Sequence, residues 1–264
     1  MIKAGSGLAT LGISSSPGIP DQLSKLTVSL PFNDLSVVEK AFKEHKDKIA
    51  ALIVEPIMGN AGLIVPKDDY LAGLRDLCTA NGAVLIFDEV MTGFRVASGG
   101  AQQKYKVTPD LTCLGKVIGG GLPVGAYGGK REIMQRVAPL GDVYQAGTLS
   151  GNPVAMAAGL AQLRALQTPG SYERLEQRTA QLADGIREIA LKAKVDAQVL
   201  HVTGMLCLFF TDNAVSDFES AKSCNTERFA KLWQELAQHG VYWPPSQFEA
   251  AFVSLEHGDR EIEE

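Results

Sequence analysis

The chain has 264 residues, 45% hydrophobic and 21% charged, a globular profile with room for one large domain or two smaller ones. A formal net charge of -5 gives no electrostatic reason to expect nucleic acid or an anionic membrane as a partner. No apolar run approaches the ~20 residues of a membrane span, and the four cysteines lie far apart with no C-x-x-C, which predicts free, buried thiols and a cytoplasmic protein.

In chain order, residues 1–20 are rich in Gly, Ser and Pro and read as loop. A short strand is expected over 26–30. Asn33 or Asp34 then caps a helix that turns Val37, Val38, Ala41 and Phe42 to one side. The apolar run 49–54, ending at Glu55-Pro56, predicts a strand buried on both faces. A helix over 67–80 follows, with Leu71, Leu74, Leu77 and Cys78 as its stripe and Asn81-Gly82 as its stop. With the strand predicted over 83–87 this makes a parallel βαβ unit. Two more short strands are expected at 111–114 and 124–127, and an Ala-rich helix at 152–166 with Pro153 in its first turn. The texture changes at Thr168-Pro169-Gly170. Beyond it come a long amphipathic helix at 172–194, a strand at 205–210 and a helix at 226–239. The expected organisation is a mostly parallel α/β domain over 1–170 and a smaller α+β domain over 171–264.

Two strand ends carry the chemistry. The run 84–87 ends in Asp88-Glu89, and the run 111–114 ends in Gly115-Lys116 followed by three glycines. In an open α/β sheet, ligands sit beyond the carboxyl ends of the strands, so both groups can face one crevice. Asp88 and Glu89 read as paired catalytic carboxylates, metal ligands or a solvated edge. The four histidines are scattered without metal-ligand spacing, so no metal is expected. Lys116 reads as a phosphate-binding lysine or a surface one, but Val117 follows it, which rules out a Walker A loop. A strand-end aspartate with a lysine among small residues is also what pyridoxal phosphate requires: an amine for the Schiff base, a carboxylate for the ring nitrogen, and room for a flat ring. Residues 147–152, G-T-L-S-G-N, offer hydroxyls and free N–H groups ahead of a helix. They read as a phosphate anchor, a capped helix start, or both.

Together the motifs E-P-I-M-G-N, F-D-E-V-M-T-G-F-R, T-P-D-L-T-C-L-G-K-V-I-G-G-G-L-P-V-G-A-Y-G-G, Y-Q-A-G-T-L-S-G-N-P and P-S-Q-F-E-A resemble the fold-type I, class III aminotransferase family. Within it they are similar to the aminomutase branch that acts on glutamate-1-semialdehyde. The resemblance implies a pyridoxal 5'-phosphate (PLP/PMP) enzyme that isomerises this substrate to 5-aminolevulinate, a tetrapyrrole precursor. An ordinary class III aminotransferase and an inactive remnant are the alternatives. By the same resemblance Lys116 is the Schiff-base lysine and proton shuttle, Asp88 the pyridinium partner, and Val90 the residue on the ring face. Asn60 is placed near the phenolic oxygen, and Thr148 at the phosphate of a neighbouring subunit's cofactor, which implies a homodimer. Ser6 falls in an active-site loop and Glu249 in the substrate pocket. Family members carry a long segment ahead of I-K-A-G-S-G and a final helix beyond S-L-E-H-G. The chain is therefore expected to be a fragment holding the second part of the large domain and most of the small one. Its expected location is the cytoplasm, or the plastid stroma in a photosynthetic eukaryote.

Overall fold

The structure, a computed structural model, describes residues 20–263, so the loop expected over 1–19, and Ser6 with it, lies outside the described residues. The elements in chain order begin with α1 (Asp21–Ser24), α2 (Leu35–Glu44), β1 (Ala51–Val54), α3 (Tyr70–Ala80), β2 (Val84–Glu89) and α4 (Gly100–Tyr105). They continue with β3 (Leu111–Leu114), a 3-10 turn (Lys116–Gly119), β4 (Ala126–Gly129), α5 (Arg131–Met134), α6 (Pro153–Leu166) and α7 (Ser171–Lys192). The last are β5 (Gln198–Val202), β6 (Met205–Phe209), α8 (Phe218–Lys222), α9 (Thr226–Gln238), β7 (Ala251–Phe252) and α10 (Asp259–Glu263). None of the described helices is long and apolar enough to cross a membrane.

The chain divides into two compact units. One contains Glu39–Pro56 and Leu71–Pro169, the other Ile57–Tyr70 and Gly170–Glu264 together with the described part of Met1–Val38. One crossing thus falls between Pro169 and Gly170. The segment Ile57–Tyr70 is a second excursion that a split into two consecutive stretches does not contain.

The first unit holds a four-stranded sheet in the order β1-β2-β3-β4, with β1, β2 and β3 parallel and β4 antiparallel to β3. Successive side chains alternate across a strand. Leu52, Val54, Leu85, Phe87 and Glu89 fall on a buried face, whereas Val84, Ile86 and Asp88 are half-buried. The expectation of a strand over 49–54 buried on both faces is therefore corrected. β1 alternates as β2 does, with Leu52 and Val54 buried and Ala51 and Ile53 less so, because one face of the sheet is covered more fully than the other. α3 starts three residues later than expected. It buries Leu71, Leu74 and Cys78 and ends at Gly82, whose φ of +64° a glycine adopts at little cost. The strand predicted over 124–127 lies at Ala126–Gly129.

Asp110, just ahead of β3, ties this unit together. Its carboxylate takes the Leu85 amide at 2.6 Å, the Arg75 guanidinium at 2.8 Å and the Lys130 ammonium at 2.6 Å. Burial alone would raise its pKa, but the hydrogen bonds from Lys130, Leu85 and Arg75 outweigh burial and hold it at about 2. The folded pKa lies below the ordinary 3.8. The contribution to stability is therefore complete above that value and is lost as pH falls from about 4 towards 2. Asp110→Asn is expected to cost about 2 kcal/mol at neutral pH. It should also flatten the acid limb of the stability curve in that window, as read by urea melts at a series of pH values.

In the second unit β6 is the central strand of the antiparallel sheet β5-β6-β7, and all five of its residues are buried. Leu206 belongs to a cluster against which Leu182 and Ile186 of α7 pack, and Leu208 to one that contains Ala183 and also meets Ile186. On the other side of the strand Phe209 meets Gly62, where a Cβ would strike its ring, and the Cys207 thiol donates to the Gln247 carbonyl. Asn33, at φ +64°, joins three segments of this unit through bonds to the Val65 and Ser216 carbonyls and the Lys67 amide. Asp34 is the cap of α2, accepting from the Ser36 and Val37 amides. The strand expected over 26–30 does not form. Leu26 is 82% exposed, and within the run only Leu30 makes a bridge. The four cysteines are free. Cys78, Cys207 and Cys224 are buried as expected, but Cys113 is half-buried.

Candidate functional site

β2 runs on through the acid pair instead of stopping before it. Strand alternation therefore sends Asp88 and Glu89 to opposite faces, and they cannot act as a carboxylate pair. Glu89 is 1% exposed and accepts from Thr92 Oγ1 (2.8 Å), the Ala101 amide (2.6 Å), the Gln102 amide (3.3 Å) and Gln102 Nε2 (3.0 Å). It holds the start of α4, and Gly100 at φ +67° brings that backbone so close that a Cβ would strike the carboxylate. Nothing local in the sequence marks this, since the helix and the acid that holds it are twelve residues apart.

Asp88 is half-buried on the other face. Its Oδ1 accepts the Val90 amide at 3.1 Å, and among the described residues Oδ2 takes no hydrogen bond. Across the parallel ladder Asp88 pairs with Cys113 and Glu89 with Leu114. Burial, and then the negative charge of Asp88, push the Cys113 thiol pKa up. β3 stops at Leu114, one residue before Gly115 and two before Lys116. Asp88 and Lys116 thus emerge from the carboxyl ends of adjacent parallel strands.

The local backbone shapes the lysine. Gly115 is extended, Lys116 turns to φ +47°, and the Ile118 amide bonds back to the Gly115 carbonyl. A left-handed conformation at a non-glycine residue costs on the order of 1–3 kcal/mol and persists only where its surroundings impose it. Two contacts impose it here. A Cβ on Gly115 would lie 3.2 Å from Val90 Cγ1, so Val90 leans directly over the residue ahead of the lysine. On the far side α6 rests backbone to backbone on the turn. A Cβ on Gly120 would come within 2.5 Å of the Ala158 carbonyl oxygen, and one on Gly159 would strike the Ile118 carbonyl oxygen. The G-G-G run and the glycine inside an Ala-rich helix were the sequence signals for this approach. The Lys116 side chain is exposed and makes no hydrogen bond or ion pair among the described residues.

Thr148 stands exposed in the loop before α6. The Ser150 amide turns back to the Gly147 carbonyl, and the Asn152 side chain caps α6 by accepting from the Val154 and Ala155 amides. The capped start is therefore present, and the Thr148 hydroxyl is not used in it. Asn60 and Glu249 belong to the other unit. Their loops are neighbours there, joined by a 2.8 Å bond from the Gly62 amide to the Phe248 carbonyl. Glu249 is exposed and Asn60 half-buried. Within the first unit the structure therefore gathers Asp88, Val90 and Lys116 at one sheet end, and within the second it puts Asn60 and Glu249 on neighbouring loops.

This arrangement fits pyridoxal phosphate. Among the described residues it offers an amine and a carboxylate oxygen that take no hydrogen bond, and a branched apolar side chain packed against a glycine. No group of three or more His, Cys, Asp or Glu among the described residues could hold a metal ion.

Comparison with known proteins agrees with this geometry. The family model for class-III aminotransferases matches residues 9–251. A glutamate-1-semialdehyde 2,1-aminomutase 2 of Brevibacillus brevis is 57% identical over 263 residues, covering 100% of this chain and 61% of that protein. The chain thus spans about three-fifths of the length of this relative. Among solved structures, an omega-transaminase from Sphaerobacter thermophilus superposes with a TM-score of 0.87 at 34% identity, over 94% of this chain and 57% of that one. A glutamate-1-semialdehyde aminomutase from Pseudomonas aeruginosa in complex with PMP gives a TM-score of 0.81 at 26% identity, over 94% and 57%. With a match to the family model over residues 9–251 and the α/β fold its solved relatives share, the chain belongs to the class-III aminotransferase family.

Proposed function

We propose that Lys116 and Asp88 anchor pyridoxal 5'-phosphate, and that the activity is the isomerisation of glutamate-1-semialdehyde to 5-aminolevulinate. The observation that carries the anchoring pair is the Lys116 amine, without a partner among the described residues, on a residue at φ +47° beside the strand end of Asp88. The substrate rests on the 57% identity with the aminomutase across the whole chain. When bound, the aminated cofactor would supply an electron-accepting ring and a nitrogen for the aldehyde carbon, and would receive the substrate's other nitrogen in return. Asp88 would hold the ring nitrogen protonated. Lys116 Nζ would move protons to and from the reacting carbons as a general acid and base. Val90 would pack on the ring face. The same reading gives Asn60 a role toward the phenolic oxygen, and Glu249 and Ser6 roles toward the substrate. It also places the protein in the cytoplasm.

Thr148 is proposed to bind the phosphate of a second copy's cofactor, which makes the assembly a homodimer. α6 supports this reading. It is apolar on nearly every side, yet only Ala155 and Gly159 are buried, and Val154 is 67% exposed. A helix that is apolar all round belongs in an interior.

Supplying glutamate-1-semialdehyde alone to the cofactor-loaded protein separates the readings. The aminomutase forms 5-aminolevulinate without a second keto acid. An absolute need for an amino donor and a keto acid would instead establish an ordinary class-III aminotransferase, the reading that likeness to the omega-transaminase favours.

A further inference from the structure

The back face of the sheet carries a polar bridge that the anchoring pair does not use. Glu89 and Thr112 lie on this face, since Thr112 pairs with Phe87 and Glu89 with Leu114. The Gln102 side chain reaches both: Nε2 is 3.0 Å from Glu89 Oε1 and 3.0 Å from Thr112 Oγ1. A primary amide has two hydrogens, and each has its acceptor, one on β2 and one on β3. Glu89 follows Asp88 by one residue, and Thr112 precedes Lys116 by four. The bridge therefore ties together the two strands whose ends carry the amine and the carboxylate. A cavity of about 270 Å³ lined by Glu89, Gln102, Thr112, Leu114, Gly128 and Gly129 opens beside the bridge. Beyond Leu114 the ladder stops, and the strained turn at Lys116 inherits whatever freedom β3 has.

We infer that Gln102 and Thr112 are positioning residues: acting through Glu89, they fix the offset between the β2 and β3 ends and so the placement of Lys116 relative to Asp88. The consequence for cofactor binding rests on the pyridoxal phosphate reading above, whereas the mechanical role does not.

Hydrogen exchange of the cofactor-free chain reads the mechanical role. Thr112→Val keeps the branched shape and removes one acceptor. It is expected to speed exchange of the amides in residues 112–120 about fivefold, the value of one hydrogen bond of about 1 kcal/mol. Peptides from β5 and β6 should stay unchanged, and Thr112→Ser should restore the wild-type rate. Gln102→Met, which removes both bonds, should have at least the same effect. In the loaded protein Thr112→Val should move the pH midpoint of the near-visible cofactor band, with Thr112→Ser again restoring it. A bond that only adds stability would lower the melting temperature and leave that midpoint in place. Wild-type exchange at 112–120 in both Thr112→Val and Gln102→Met overturns the inference. Faster exchange with an unmoved midpoint overturns the positioning role. If the wild-type chain takes up no cofactor, the cofactor reading fails, and the exchange rates alone decide whether the bridge holds the strand ends.

Discussion

Lys116→Ala is expected to abolish the near-visible absorbance of the cofactor-loaded protein and to lower turnover by about 10³-fold, within the range for losing a positioned general acid or base. The structure makes this loss separable from a folding defect. The Lys116 side chain is exposed and has no partner among the described residues, so its removal takes away no stabilising contact. The melting curve should shift by less than about 0.5 kcal/mol, as for other exposed positions. Lys116→Arg sharpens the comparison, because it keeps a positive charge while replacing the amine with a guanidinium that does not lose its proton. Both variants should lose the absorbance alike. An arginine variant that keeps turnover would mean that the position contributes only charge.

Glu89→Ala is expected to be the most destabilising single change at the sheet end, on the order of 3–5 kcal/mol. The carboxylate is 1% exposed, and its loss would leave the Ala101 and Gln102 amides, the Gln102 side chain and the Thr92 hydroxyl without the acceptor they now share. Leaving a buried donor unsatisfied costs about 1–3 kcal/mol for each group that water cannot reach. Some of these groups would relax towards solvent, which is why the expected total is less than four full penalties. At about 2–4 °C per kcal/mol the melting temperature should fall by roughly 10 °C. Glu89→Gln should fall between wild type and alanine, because its amide keeps one acceptor but turns a donor on the N–H groups around it. A Glu89→Ala protein melting within a degree of wild type would show that these bonds hold nothing.

The two acids show how far the sequence could be read. Asp88 was legible because a strand that ends in an acid, next to a strand that ends in Gly-Lys, has few arrangements in a parallel sheet. Glu89 was not, because its partners are backbone amides that approach only when Gly100 turns to φ +67°. Helices with a cap and a long stripe were also legible. α6 follows Asn152-Pro153, and α3 stops at Asn81-Gly82. Short elements without a long stripe were not, among them α4, α5, α8, α10, β5 and the two-residue β7. The apolar run at 26–30 failed in the opposite sense, having strand composition but only a single bridge at Leu30. The segment Ile57–Tyr70 belongs with the second unit through contacts such as Gly62 with Phe209, which link residues far apart in the chain and leave no local pattern.

The central claim is that Lys116 is the residue that holds the cofactor. Borohydride reduction of the wild-type protein loaded with pyridoxal phosphate, followed by digestion and mass mapping, tests it most directly. One stoichiometric label is expected, on the peptide that contains Lys116. A stoichiometric label on any other lysine, with Lys116 unmodified, would contradict it.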